Sequence, residues 1–135
     1  MNKLSHYDLT SMILNSCFEV MNELGAGFLE AVYRNALLIS LREKGLDVEA
    51  EKVYQIYYKK EFVGVYKADI VVNNTVVIEL KTCKALLPEN QAQVINYLKA
   101  SNLPIGMLVN FGNRTLEYKR LHNPSIYPSF ETITA

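Results

Sequence analysis

Two carboxylates and a lysine fall close together in one segment, Asp69-Ile70-Val71-Val72-Asn73-Asn74-Thr75-Val76-Val77-Ile78-Glu79-Leu80-Lys81, in strands that are otherwise apolar. Glu79 and Lys81 are two apart, so in an extended chain they point to one side. Asn73-Asn74-Thr75 reads as a turn, because Asn tolerates left-handed backbone. With a three-residue loop, position 72 faces 76 and position 69 faces 79, and the carboxylates of Asp69 and Glu79 stand side by side. A two-residue loop would pair 69 with 78 and send Glu79 to the other face, so the reading requires an odd-length loop or a bulge. Paired carboxylates repel by a few tenths to ~1 kcal/mol. A hard divalent cation reverses that sign, since Mg²⁺ and Mn²⁺ favour carboxylate oxygens together with water and phosphate. Lys81 beside them is placed to orient a water or to stabilise charge on a phosphate. The plainer alternative is a strand-face ion pair, Glu79–Lys81, with Asp69 at a strand end.

The elements that must hold these groups can be read from spacing. Leu9, Met12, Ile13, Cys17, Val20, Met21 and Leu24 recur at helical intervals. They predict a helix from Ser5 or Asp8 to Leu24, capped by Ser5 with Asp8 and stopped at Gly25 and Gly27. A second helix is predicted over Phe28 to Lys44, ending at Gly45 and apolar around much of its circumference, hence well buried. The β-branched and aromatic run Val53–Tyr58 predicts a strand, followed by a turn at Lys59-Lys60-Glu61. Strands Phe62–Val72 and Val76–Lys81 follow. Pro88 suits the first position of a third helix reaching to Ser101. Strands Ile105–Phe111 and Thr115–Leu121 close the order α-α-β-β-β-α-β-β. The first three strands form an antiparallel meander, and the strand-helix-strand unit from Val76 to Phe111 is a parallel crossover. A mixed sheet flanked by helices is therefore expected, in a single domain over residues 1–135 with its core at about 5–121 and a loosely held tail over 122–135.

Two further spacings carry information. Gln93 and Tyr97 are i and i+4 on the third helix and share a face, as do Glu30 and Tyr33, i and i+3, on the second. A glutamate in a largely buried helix needs a partner, although an acid in the first turn is also favoured by the helix dipole.

Composition excludes several classes. The chain has 135 residues, with 14 Lys+Arg against 14 Asp+Glu and a hydrophobic fraction of 50%, which argues against disorder and against a broadly basic nucleic-acid binder. The basic residues are uneven. Residues 1–58 hold 5 Lys/Arg and 8 Asp/Glu, whereas residues 59–135, which include the Asp69–Lys81 segment, hold 9 and 6. No apolar run approaches the ~20 residues of a membrane span, and the first residues lack a signal-peptide core. Cys17 and Cys83 are too few for a disulfide framework or a cysteine zinc site and read as reduced cytoplasmic thiols. His6 and His122 have no partner at ligand spacing. Lys84, Lys99, Arg114, Lys119 and Arg120 are candidates for phosphate contact, each in the first instance a solvated charge.

Asp69, nine intervening residues, then Glu79-x-Lys81 resembles the signature of the PD-(D/E)XK nuclease superfamily, without the proline of that name in Tyr66-Lys67-Ala68-Asp69. Gly27-Phe28-Leu29-Glu30-Ala31-Val32-Tyr33 is similar to the motif of the GxxExxY protein family within it, and Asn110-Phe111-Gly112 resembles that family too. Gln93-Val94-Ile95-Asn96-Tyr97 after the ExK resembles the QxxxY of the RecB and lambda-exonuclease branch. The resemblance spans about residues 5–121. It implies a restriction-endonuclease-like αβββαβ core and a magnesium-dependent nuclease, with manganese as substitute, acting on DNA more than RNA. It further implies that Asp69, Glu79 and the Leu80 carbonyl hold the metal and Lys81 assists the water. Glu30 would add a carboxylate to the site, and Gln93, Tyr97 and Tyr33 would lie against the substrate. Two alternatives stand beside this: a non-catalytic binding module that retains the fold, and a homodimer packed through the apolar tail residues Ile126, Tyr127 and Phe130.

Overall fold

The structure, a computed structural model, describes residues 4–127. Helix α1 (His6–Leu24) begins where expected: the Ser5 hydroxyl accepts the Asp8 N–H at 3.0 Å, and Gly25 ends the helix at a φ of 71°. Helix α2 (Glu30–Glu43) follows, then β1 (Val48–Tyr58), β2 (Glu61–Val72), β3 (Val76–Lys81), α3 (Pro88–Ser101), β4 (Ile105–Asn110) and β5 (Glu117–His122). The element order is the one read from the sequence. The five strands lie in the order β1-β2-β3-β4-β5, antiparallel except for the parallel pair β3–β4. This is the expected mixed sheet between helices.

Its two faces are covered by different helices. Ile70, Val72, Val76, Ile78, Leu80, Met107 and Val109 pack against α1 and α2, whereas Val71, Val77 and Leu108 pack against Val94 and Leu98 of α3. Strands β3 and β4 are buried on both faces and therefore read as continuous apolar runs. A Cβ on Gly106 would sit 2.7 Å from Val94, which is why α3 can lie so close to β4.

Three expectations are corrected. Strand β1 starts at Val48, five residues early, because the charged stretch Glu49–Lys52 carries no apolar periodicity yet pairs with β2. Helix α2 is buried along one stripe only: Tyr33, Leu37, Leu38, Ser40 and Leu41 face inward, while Leu29, Val32 and Ile39 are exposed. Its abundance of Leu and Ile made it look buried all round. The tail is held as far as it is described. The side chain of the fully buried Asn123 donates to Leu98 O (2.9 Å) and Leu103 O (3.0 Å) at the end of α3. Phe130, one of the tail residues assigned to a dimer contact, lies outside the described residues.

The hairpin that carries the acids has the odd-length loop. Val72 pairs with Val76 around Asn73-Asn74-Thr75, and both asparagines are left-handed, with φ of 50° and 48°. The strand alternation is not regular, however. Tyr66 and Ala68 face α3, yet Ile70 and Val72 face α1 and α2. The switch falls at Asp69, and the β1–β2 register passes over Asp69 and the opposing Glu51, whose φ is 51°. Both strands kink here together.

Candidate active site

The β2–β3 ladder ends at the Ile70–Ile78 pair. One residue further on, Asp69 supplies with its side chain what the ladder no longer supplies: its Oδ2 accepts the Leu80 N–H at 2.8 Å. The Phe111 N–H is bonded to Lys81 O at 2.8 Å, so the Leu80 peptide groups are turned the other way, toward β2 and Asp69. The kink at Asp69 thus opens a gap between two otherwise paired strands and fills it with a carboxylate.

Glu79 is 8% exposed and accepts the Tyr66 hydroxyl on Oε1 at 3.1 Å. Burial, followed by the Asp69 charge, pushes its carboxyl up to about 7, against the opposing pull of the Tyr66 hydroxyl, the Asp69 backbone N–H and Lys81. Burial also raises the Asp69 carboxyl, while the Leu80 N–H, Arg34 and Lys81 act to lower it. Two half-desolvated acids therefore resist sharing full negative charge, and the Lys81 charge acts on both. Perturbation of this kind, by burial plus a specific charged neighbour, is concentrated at functional sites and makes the two acids candidates for chemistry.

The tyrosines organise one wall. Tyr66 is stacked on Tyr97 of α3 at 3.6 Å between ring centres and 13° between planes, and Tyr54 lies parallel to it at 6.0 Å. Burial, then the Glu79 charge, raises the Tyr66 hydroxyl well above its ordinary range, so it stays protonated and donates. Burial, then the charges of Glu79 and Asp69, raise the Tyr97 hydroxyl, and Gln93 acts to lower it. The QxxxY pair is therefore brought to the acids, with Tyr66 between Tyr97 and Glu79. On the other side Arg34 of α2 lies 3.8 Å from Glu51, and Lys67 lies 3.4 Å from the same carboxylate.

Two assigned residues stand elsewhere. Tyr33 is fully buried, stacked on Phe111 at 4.7 Å. Its hydroxyl donates to Gly25 O (2.6 Å) and accepts the Phe28 N–H (3.2 Å), so it pins the turn between the first two helices and is closed to a substrate. Glu30 sits exposed in the first turn of α2. It does not complete a three-acid cluster with Asp69 and Glu79: among the described residues no three His, Cys, Asp or Glu side chains lie together closely enough to hold an ion. The residue of α2 that acts on Asp69 is Arg34, one turn further on. Its spacing from Glu30, i to i+4, was a signal available in the sequence. Tyr66 could not be singled out from eight other tyrosines, since its value lies in one hydrogen bond.

The motif Asn110-Phe111-Gly112 is structural. Buried Asn110 accepts the N–H groups of Cys83 (3.0 Å) and Gly112 (2.9 Å) and donates to Cys83 O (2.9 Å) and Glu117 (3.2 Å). It thereby ties down the loop that leaves Lys81. Cys17 is buried, which pushes its thiol up to about 12 and leaves it inert. None of the described helices is long and apolar enough to cross a membrane.

No curated protein gives a significant sequence match. Among solved structures, the protein SSO0001 superposes with a TM-score of 0.54 at 15% identity, over 93% of this chain and 86% of that one. An alkaline exonuclease from Laribacter hongkongensis superposes with a TM-score of 0.51, also at 15% identity, over 98% of this chain and 77% of that one. At that identity the likeness is one of fold. The sequence itself goes further: residues 7–121, which take in the kinked hairpin, both acids, Lys81 and the QxxxY helix, match the family model, and the chain belongs to the PD-(D/E)XK nuclease superfamily.

Proposed function

We propose that the protein is a metal-dependent nuclease that hydrolyses phosphodiester bonds, in DNA rather than RNA, with Asp69, Glu79 and Lys81 as its catalytic residues. The observation that carries this reading is a half-buried Asp69 next to a buried Glu79 whose carboxyl is raised by burial and by the Asp69 charge, with Lys81 acting on both. Nucleases of this superfamily generally use divalent metal ions. The donor set suits a hard cation: Asp69 and Glu79 supply carboxylate oxygens, and the Leu80 peptide is turned to the same side. Magnesium, with manganese as substitute, would be held by Asp69, Glu79 and the Leu80 carbonyl, and would supply Lewis-acid stabilisation of the phosphate and a more acidic water.

The chain's own groups do the rest. Lys81 orients the attacking water and stabilises charge on the scissile phosphate. Tyr66 holds Glu79 in one rotamer by its hydrogen bond. Gln93 and Tyr97 line the α3 side of the site and position the strand. Arg34 sets the charge at Asp69. The resemblance to the GxxExxY family supports the same reading, with Tyr33 and Gly27 shaping the turn before α2. Glu30 is assigned no ligand role.

Cleavage of single- and double-stranded DNA and of RNA, in Mg²⁺ and in Mn²⁺, tests this function. Wild type is expected to cut DNA, and Lys81→Ala to lose at least ~100-fold in rate with its melting temperature unchanged. Cleavage by Lys81→Ala at the wild-type rate would overturn the assignment. Absence of cleavage by the wild type on all substrates would favour a binding module that keeps the fold.

A further inference from the structure

Beyond the kink at Glu51 and Asp69, the β1–β2 hairpin is covered on one face only. Tyr54, Ile56, Tyr66 and Ala68 face α3. On the open side Val53, Tyr57, Phe62, Val63 and Val65 are each 56% to 59% exposed. Tyr57 and Phe62 already pack edge to face at 6.2 Å. β1 is also the first strand of the sheet, with no described neighbour on its outer edge. These five side chains expose roughly 500 Å² of apolar surface together, within the range of the largest patch a monomer normally shows and often a sign of an interaction site.

Charge decides the kind of partner. The hairpin from Val48 to Lys67 holds Lys52, Lys59, Lys60 and Lys67 against Glu49, Glu51 and Glu61, a net of 4 − 3, or +1. A polyanion or an anionic membrane calls for a clear cationic excess and basic residues among the apolar ones. Here Lys67, opposite Val53, is the one charge beside the apolar stretch, and both signs stand at the two ends. Glu51 and Lys67, 3.4 Å apart, mark the base, and Lys59, Lys60 and Glu61 mark the tip. In the register Gln55 faces Val65 at mid-length. A two-fold axis through that pair lays base over tip: Glu51 then meets the lysines of the turn, Val53 and Lys67 come over Tyr57 and Phe62, and the valines and aromatics meet each other. A surface complementary to itself under a two-fold rotation is the requirement of a symmetric dimer, and an apolar centre with a charged rim is its usual anatomy.

We propose that the open face of the β1–β2 hairpin is a homodimer interface, closed by the same face of a second copy packed antiparallel. Because Glu51 opposes Asp69 in the β1–β2 register, the lysine turn of the second copy lies at the border of the catalytic carboxylates. The interface is separate from the C-terminal tail.

Sedimentation of the full chain tests it, with Val53→Lys/Val65→Lys as the disrupting variant and Ile126→Lys as the tail control. Both valines are exposed, so the double variant should still fold and unfold cooperatively, as a monomer. The wild type and Ile126→Lys are expected to sediment as dimers, and the double variant to associate at least ~30-fold more weakly. Hydrogen exchange of the unmodified chain gives a second measure, with protection over residues 53–65 rising with protein concentration. A wild type that remains monomeric at the highest concentration reached, a double variant that still dimerises, a dimer lost only in Ile126→Lys, or protection over 53–65 independent of concentration would each overturn the proposal.

Discussion

At the scale of single residues, the decisive group is Glu79. Its carboxyl ionises near 7 in the fold, through burial and the Asp69 charge, but near ~4.3 in an unfolded chain. Between those values the folded protein holds the extra proton, so its stability falls as pH rises through that window. The melting temperature of the metal-free protein should therefore decline between about pH 5 and 7.5, and Glu79→Gln should flatten the decline; a profile equally steep in that variant would count against the assignment. Tyr66 acts through Glu79. Tyr66→Phe keeps the stack on Tyr97 and removes only the hydroxyl bond, so Mn²⁺ affinity measured by calorimetry should weaken roughly tenfold with little loss of stability. Unchanged affinity would leave Tyr66 a packing residue. The acids and Lys81 were legible in the sequence because charges inside apolar strands stand out. Tyr66 was not, since it owes its role to one hydrogen bond made on folding, and Arg34 offered only its i to i+4 spacing from Glu30.

At the scale of elements, the motifs divide into those that act and those that hold. Tyr33 and Phe111 come from two different motifs and meet as one stacked pair in the core. Tyr33→Phe, which gives up two hydrogen bonds to the turn Gly25–Phe28, should cost about 1–3 kcal/mol in denaturant unfolding and leave cleavage per folded molecule intact. A rate loss exceeding the stability loss would return Tyr33 to the substrate side. Gly112 is more sensitive. A Cβ there would stand 2.4 Å from the backbone N and O of Cys83, so Gly112→Ala should destabilise by about 3 kcal/mol or displace the loop after Lys81. A Gly112→Ala chain with wild-type stability would contradict that packing. Element order, the three-residue loop and both ends of α3 could be read from periodicity, caps and turn residues. The start of β1 and the kink at Asp69 could not. Both lie in Glu49–Lys52 and its partner strand, where charged side chains and a left-handed Glu51 hide the strand pattern.

At the scale of the whole molecule, zero net charge and a two-sided sheet are reconciled by where the charges sit. Setting aside Asp69 and Glu79, the other twelve acids stand against 14 basic residues, a balance of +2. That is too little for a broad electrostatic grip, so binding of nucleic acid should be weak without metal and centred on the carboxylates. The salt dependence of oligonucleotide binding should accordingly be shallow, a slope of only ~2 to 3 in log–log form, and a much steeper slope would point to a basic surface elsewhere. Mn²⁺ soaked into crystals shows whether Asp69 and Glu79 together hold a divalent cation. Anomalous density is expected within ~2.0–2.3 Å of oxygens from both carboxylates, with the Leu80 carbonyl as neighbour, and is expected to be lost in Asp69→Asn. Density confined to surface acids, or none at this pair in crystals soaked at neutral pH, would contradict it.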